Sequence, residues 1–231
     1  MLALLLLLPA ADYGYPVDVA IAADGQRWVA DRTPPAVWQG QTRLGGEWRA
    51  VQEIAAFGNQ ALVADTARRG VFEAGGRRVA DVVLPVAIAT DGRRLWVADA
   101  TRETLAAVSV ADGETLASVP RRGLRGLAWT GDELLALTAD GEVQSIDPGT
   151  LAATTLFRAD LRFPADLCAV GDRIAISDSY AGRVALFARD GSPAGERTDP
   201  SMTYPVGLAY ADGTLLVADP KARKVFALPI E

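Results

Sequence analysis

Histidine is absent from the 231-residue chain, and cysteine occurs once, at Cys168. The first absence removes imidazole metal ligands, Ser-His-Asp and Cys-His nucleophile activation, and the usual general base near neutral pH. The second allows neither an internal disulfide nor a multi-cysteine zinc or iron–sulfur site. Lysine is scarce as well, with Lys221 and Lys224 the two among 23 cationic residues. The formal charge of −6 argues against nucleic acid or an anionic membrane as a partner of the whole surface.

The apolar run from Met1 to Ala11 is shorter than the roughly 20 residues a membrane-spanning helix needs. Its leucines and Ala10-Ala11 exit fit a secretory leader, although no positive charge precedes the run. The expectation is a signal-like segment over 1–11 and one domain over 12–231, exported to the periplasm or secreted, with no transmembrane helix in the mature chain. No cysteine ends the run, so a lipid anchor is not supported.

Half the residues are hydrophobic, enough for a substantial core. They recur in a pattern seen at Asp91-Gly92-Arg93-Arg94-Leu95-Trp96-Val97-Ala98-Asp99, with versions ending at Asp31, Asp65, Thr138, Asp178 and Asp219. Successive ends lie 34, 34, 39, 40 and 41 residues apart, a period that belongs to propeller blades. Asp-Gly, Gly-Asp and Gly-Gly pairs between short aliphatic runs signal tight hairpins. In the third unit the runs predict strands over Val86–Thr90, Leu95–Asp99, Leu105–Val110 and Thr115–Val119. Six such units make an all-β, six-bladed propeller of four-stranded antiparallel blades. After Asp219 only enough chain remains for one more strand, so the sixth blade is expected to be incomplete, with an edge open to strand addition by a partner.

The runs Pro85-Val86-Ala87-Ile88-Ala89, Pro205-Val206-Gly207-Leu208-Ala209 and Gly182-Arg183-Val184-Ala185-Leu186-Phe187 resemble NHL-repeat propellers over residues 13–231. That resemblance implies a fold that hosts adaptors, RNA binders, lyases and lactonases, so function has to come from the site. Calcium-dependent lactonases of this fold place ligands one residue after the proline-like position. Here that position holds Val17, Gln52, Val86, Arg125, Ala165 and Val206, and only Gln52 offers a useful oxygen. The amidating and streptogramin-type lyases look to His, which the chain lacks.

Stacking the units shows further columns. Ala20, Ala55, Ala89, Ala128, Cys168 and Ala209 form a small-residue column, which makes Cys168 a buried hydrophobe. The second-strand Asp recurs too often for a unique active site and is expected to accept amides of the following turn. Asp18, Glu53 and Asp166 share another column with Ala87, Gly126 and Gly207. They are candidates for a weak cation site, with Ca2+ the fitting ion, or for acceptors of neighbouring backbone amides. Trp28, Trp96, Trp129 and Tyr210 are assigned to packing between blades.

Loop sorting places Arg68, Arg69, Arg121, Arg122 and Arg125 on one face, with Lys221 and Lys224, and most loop carboxylates on the other. The basic face is the candidate site for a protein partner or a small anionic ligand. RNA is disfavoured because no aromatic residues interleave with the Arg pairs. The sequence thus favours a non-catalytic scaffold for protein interaction or ligand binding. The alternative is a metal-dependent hydrolase, lactonase or lyase working through the carboxylates at the channel mouth.

Overall fold

The computed structural model describes residues 11–230. The leader expected over 1–11 therefore lies, but for Ala11, outside the described residues. The described chain forms twenty-three strands in six antiparallel sheets. Blade one holds β1 (Pro16–Ile21), β2 (Arg27–Arg32), β3 (Pro35–Gln39) and β4 (Thr42–Leu44). Blade two holds β5 (Val51–Phe57), β6 (Gln60–Asp65), β7 (Gly70–Glu73) and β8 (Arg78–Asp81). In blade three, β9 (Pro85–Thr90), β10 (Arg94–Asp99), β11 (Thr104–Ser109) and β12 (Thr115–Pro120) match the sequence expectation within one residue at each end. Blade four is β13 (Leu124–Trp129), β14 (Leu134–Thr138), β15 (Glu142–Ile146) and β16 (Ala153–Arg158), and blade five is β17 (Pro164–Val170), β18 (Arg173–Asp178), β19 (Arg183–Ala188) and β20 (Pro193–Arg197). Blade six has three strands, β21 (Leu208–Ala211), β22 (Thr214–Asp219) and β23 (Lys224–Pro229), and among the described residues nothing pairs with the outer side of β23. The fold is a six-bladed β-propeller.

Position in the blade explains the sequence of each strand. Second strands pack between neighbouring blades on both faces and read as continuous apolar runs; Leu62, Val63 and Ala64 of β6 are fully buried. Fourth strands are at the rim and alternate, as in β12, whose residues are exposed or half-buried in turn. Proline opens β1, β9 and β17, a position that spares the ladder an unsatisfied donor. The Asp91-Gly92 hairpin needs its glycine at φ +85°, and Asp91 Oδ1 accepts the amides of Arg93 at 2.9 Å and Arg94 at 2.6 Å.

Blades meet through aromatic and aliphatic contacts. Trp96 of blade three stacks on Trp129 of blade four at 4.9 Å, and Phe157 of blade four meets Phe187 of blade five at 5.4 Å. The ring closes where Tyr13, Val19 and Val29 pack against Leu216 and Ala218 of blade six.

The repeated second-strand Asp does more than cap the following turn. Asp65 is fully buried and accepts the Arg68 amide of that turn at 3.0 Å, but also the amides of Arg49 and Ala50 in the link entering its blade, at 2.8 and 3.1 Å. Asp99 does the same with Val83, Leu84, Thr101 and Arg102, and Asp219 with Thr203, Tyr204 and Ala222. Burial pushes the Asp99 carboxyl up, but these amides outweigh it and hold the group below the usual carboxylate range. Blade four lacks the Asp, and Thr138 bonds locally instead, to Asp140 and Glu142.

Asp65→Ala removes the acceptor of three amides at a buried site and is expected to cost about 3 kcal/mol in urea unfolding, whereas Asp24→Ala, exposed and bonded to one amide, should cost under about 1 kcal/mol. Equal small losses at both positions would show the clamp to be dispensable.

Candidate functional site

Five of the six innermost strands carry a bulge at one common place. In β1 the pairing passes from Pro16–Asp31 to Asp18–Ala30, leaving Val17 unopposed. The same slip frees Gln52 in β5, Val86 in β9 and Arg125 in β13, and both Ala165 and Asp166 in β17. A bulge suspends the alternation of side chains, so two consecutive residues can face the axis. The result is two stacked rings. The outer contains Val17, Gln52, Val86, Arg125, Ala165 and Val206; the inner contains Asp18, Glu53, Ala87, Gly126, Asp166 and Gly207.

These rings divide the channel. A cavity of about 560 Å³ opens on the side of the Arg-rich turns, lined by the outer ring with Arg121, Phe163 and Tyr204. A wider one of about 840 Å³ opens at the opposite mouth, lined by the whole column from Ala20 to Ala209, Cys168 included. Glu53 and Asp166 border both cavities and form the waist. Cys168 is buried, and burial followed by the charges of Asp166 and Asp18 pushes its thiol well up, which leaves it a poor nucleophile.

The structure brings Asp18, Glu53 and Asp166 together at the axis. Asp18 Oδ1 accepts the Val19 amide at 2.7 Å and Oδ2 the Ile54 amide of blade two at 2.8 Å. Asp166 Oδ2 accepts the Leu208 amide of blade six at 2.9 Å. Gly126 and Gly207 clear the space: a Cβ on Gly126 would lie 2.7 Å from Asp166 Oδ1, and one on Gly207 would collide with Asp18. Two of the three carboxylates are therefore tied into backbone bonding between blades.

Burial raises all three. Asp18 is pushed up to about 7 by desolvation, opposed by its two amides and by a hydrogen bond from Glu53. Glu53 is raised well above the usual range by desolvation and then by the charges of Asp18 and Asp166. Asp166 is raised well up by desolvation and by the charge of Asp18. With both Asp18 oxygens filled, the carboxylates alone do not make the six to eight oxygen ligands that calcium takes. Among the described residues no group of three or more His, Cys, Asp or Glu is arranged to hold a metal ion.

The five arginines nominated from sequence separate. Arg68 lies over Phe72 at 3.7 Å and Trp48 at 5.6 Å. Arg69 is an exposed turn residue at φ 55°, and Arg122 pairs with Glu103 at 2.7 Å. Only Arg121 and Arg125 line the cavity. Arg121 Nη2 donates to Leu151 O at 3.1 Å while its Nε is buried without a partner, and Arg125 rests on the Phe163 ring at 4.6 Å. Among the described residues, neither forms an ion pair with a carboxylate.

The aromatic partners of these cations escape a reading of neighbouring residues in sequence, and the expected lack of interleaved aromatics is corrected. Phe163 stacks on Tyr180 at 4.6 Å, Tyr180 meets Tyr204 at 5.9 Å, and Lys221 sits over Tyr204 at 4.1 Å. Tyr180 is 61% exposed. The fold joins residues from three different connections into one shelf. A signal was present in Tyr15-Pro16, Leu84-Pro85, Phe163-Pro164 and Tyr204-Pro205, large residues set before the prolines that open or precede the first strands of their blades.

The axial carboxyls predict an acid-favoured stability profile. The folded protein retains protons on groups that would release them near pH 4 when unfolded, so stability falls as pH rises from about 4 through 7, by about 1.4 kcal/mol per unit of pKa shift in each group. Below that window Asp91 and Asp99, held low, lose their contribution as they protonate. In thermal melts from pH 4 to 8, Glu53→Gln should flatten the neutral limb and raise stability at pH 8. An unchanged slope would mean that Glu53 is already ionised in the fold.

No family model matches the chain, and a search of curated proteins found no relative. Solved structures do resemble it. A chain of a nidogen/laminin complex aligns with a TM-score of 0.74 at 16% identity, covering 85% of each chain. A structural-genomics protein of unknown function from Bacteroides thetaiotaomicron aligns at 0.73 and 13% identity, covering 97% of this chain and 71% of the other. A streptogramin B lyase aligns at 0.64 and 12% identity over 98% and 96%. At these identities the likeness is one of fold, and that fold, the six-bladed propeller, is common to a protein found in a complex and to an enzyme.

Proposed function

We propose that the chain is a non-catalytic interaction propeller of the NHL type, acting outside the cytoplasm, whose Arg-side mouth receives an acidic segment of a protein partner. The observation that carries this reading is the shelf of Phe163, Tyr180 and Tyr204 topped by Arg125 and Lys221. Exposed Tyr beside Arg is the composition of binding hot spots, and cations without carboxylate partners favour an acidic one. Arg68, Arg69 and Arg122 extend the same face, the last through an exposed ion pair that a stronger partner can displace at little cost. The nidogen/laminin neighbour lends support from a fold relative found in a complex. A hydrolase or lyase reading would have to rest on Glu53 and Asp166, and Asp166 is already bonded to backbone. The outer side of β23 offers the partner a second contact by strand addition, which would appear as amide-exchange protection over Val225–Leu228 in the bound state.

Selection of displayed peptide libraries on the wild-type protein should enrich Asp and Glu. The double variant Arg121→Glu, Arg125→Glu should lose that enrichment, and Tyr180→Ala should weaken selected peptides about tenfold, the scale of one hot-spot contact. Selection of neutral or basic peptides by wild type would end the proposal.

A further inference from the structure

The cavity on the Arg121 side presents unpaired charges of opposite sign at two depths, its other lining carboxylates, Asp99 and Glu103, being paired with Arg102 and Arg122. Arg125 occupies the outer ring, and Arg121 borders the same space with a buried Nε that has no partner among the described residues. One residue deeper along the strands, about 3.3 Å by strand geometry, Glu53 and Asp166 border the cavity without a cationic partner among the described residues. Its volume of about 560 Å³ falls within the roughly 300–1,000 Å³ of small-molecule sites. Val17, Val86, Val206 and the Phe163 ring give it an apolar wall.

We propose that this cavity binds a small zwitterion of the amino-acid class, its ammonium held by Glu53 and Asp166 at the waist and its carboxylate by Arg125 and Arg121. A simple anion would meet the carboxyls beneath the arginines, and a simple cation would have to pass both guanidinium groups. A ligand carrying both charges on adjacent carbons satisfies both levels at the spacing of the rings, and its side chain lies against the apolar wall. The ammonium also compensates the negative charge of carboxyls whose pKa burial raises. This site lies beneath the aromatic shelf and shares Arg121, Arg125, Phe163 and Tyr204 with the mouth, but Glu53 and Asp166 at the waist belong to it alone, and it does not require the protein partner proposed above.

Thermal-shift screening of the intact protein against the twenty common amino acids, followed by calorimetry of the strongest, tests the proposal. The amino acid should bind at least about tenfold tighter than both its N-acetyl derivative, which lacks the ammonium, and its amide, which lacks the carboxylate. Arg125→Ala and the near-isosteric Glu53→Gln should each weaken it at least about tenfold, with cooperative melting retained, while Arg68→Ala, outside the cavity, leaves it unchanged. Absence of binding by every amino acid, equal binding of the N-acetyl derivative, or a response to calcium alone would overturn the assignment. Acidic-peptide selection by the shelf would survive any of those results, so the two proposals fail separately.

Discussion

Five of the six blades are fastened to the chain that enters them by a buried carboxylate. Asp31, Asp65, Asp99, Asp178 and Asp219 accept amides from the link ahead of the first strand, and in most blades from the turn after the second as well. A propeller blade has little local reason to hold its connecting segments, since those segments make no ladder. The clamp supplies the missing acceptors and fixes where the mouth-forming residues stand. Phe163 and Tyr204 project from clamped links, so the shelf at the mouth depends on the same bonds that hold the blades.

At the axis the same chemistry is used under harder conditions. Asp18 and Asp166 reach across to the amides of the next blade, fitting into space left by Gly207 and Gly126. These bonds join blade one to blade two and blade five to blade six at the narrowest part of the ring. Their cost is desolvation of carboxyls within reach of each other's charge. Among the described residues Glu53 makes no comparable amide bond, which marks it as the member of the ring least explained by structure alone.

The fold was legible because its devices are periodic. Hairpin glycines, apolar second strands and their terminal Asp recur at a period that identifies blades, and strand limits read from the third unit are right to within a residue. Among the described residues the last blade has three strands, in line with the expectation from the chain after Asp219. The site was legible by halves. Asp18, Glu53 and Asp166 could be placed in one ring because they share a column, and Arg121 and Arg125 could be placed on the correct face by loop sorting. What could not be read was commitment: Arg68 turns onto Phe72, and Arg122 onto Glu103, through side-chain directions that no spacing encodes. The aromatic shelf was hidden for a related reason, since Phe163, Tyr180 and Tyr204 come from different connections and meet only when the ring closes.

The bulge in the innermost strands has an evolutionary reading. A regular strand offers the axis every second residue and commits the others to packing between blades, so a change in channel chemistry would threaten the core. The unopposed residue added at Val17, Gln52, Val86 and Arg125 belongs to no ladder pair. It can be substituted with little consequence for blade packing, so the chemistry of the rim can be altered one blade at a time on a fixed frame, and Arg125 is the one guanidinium group among the six rim positions.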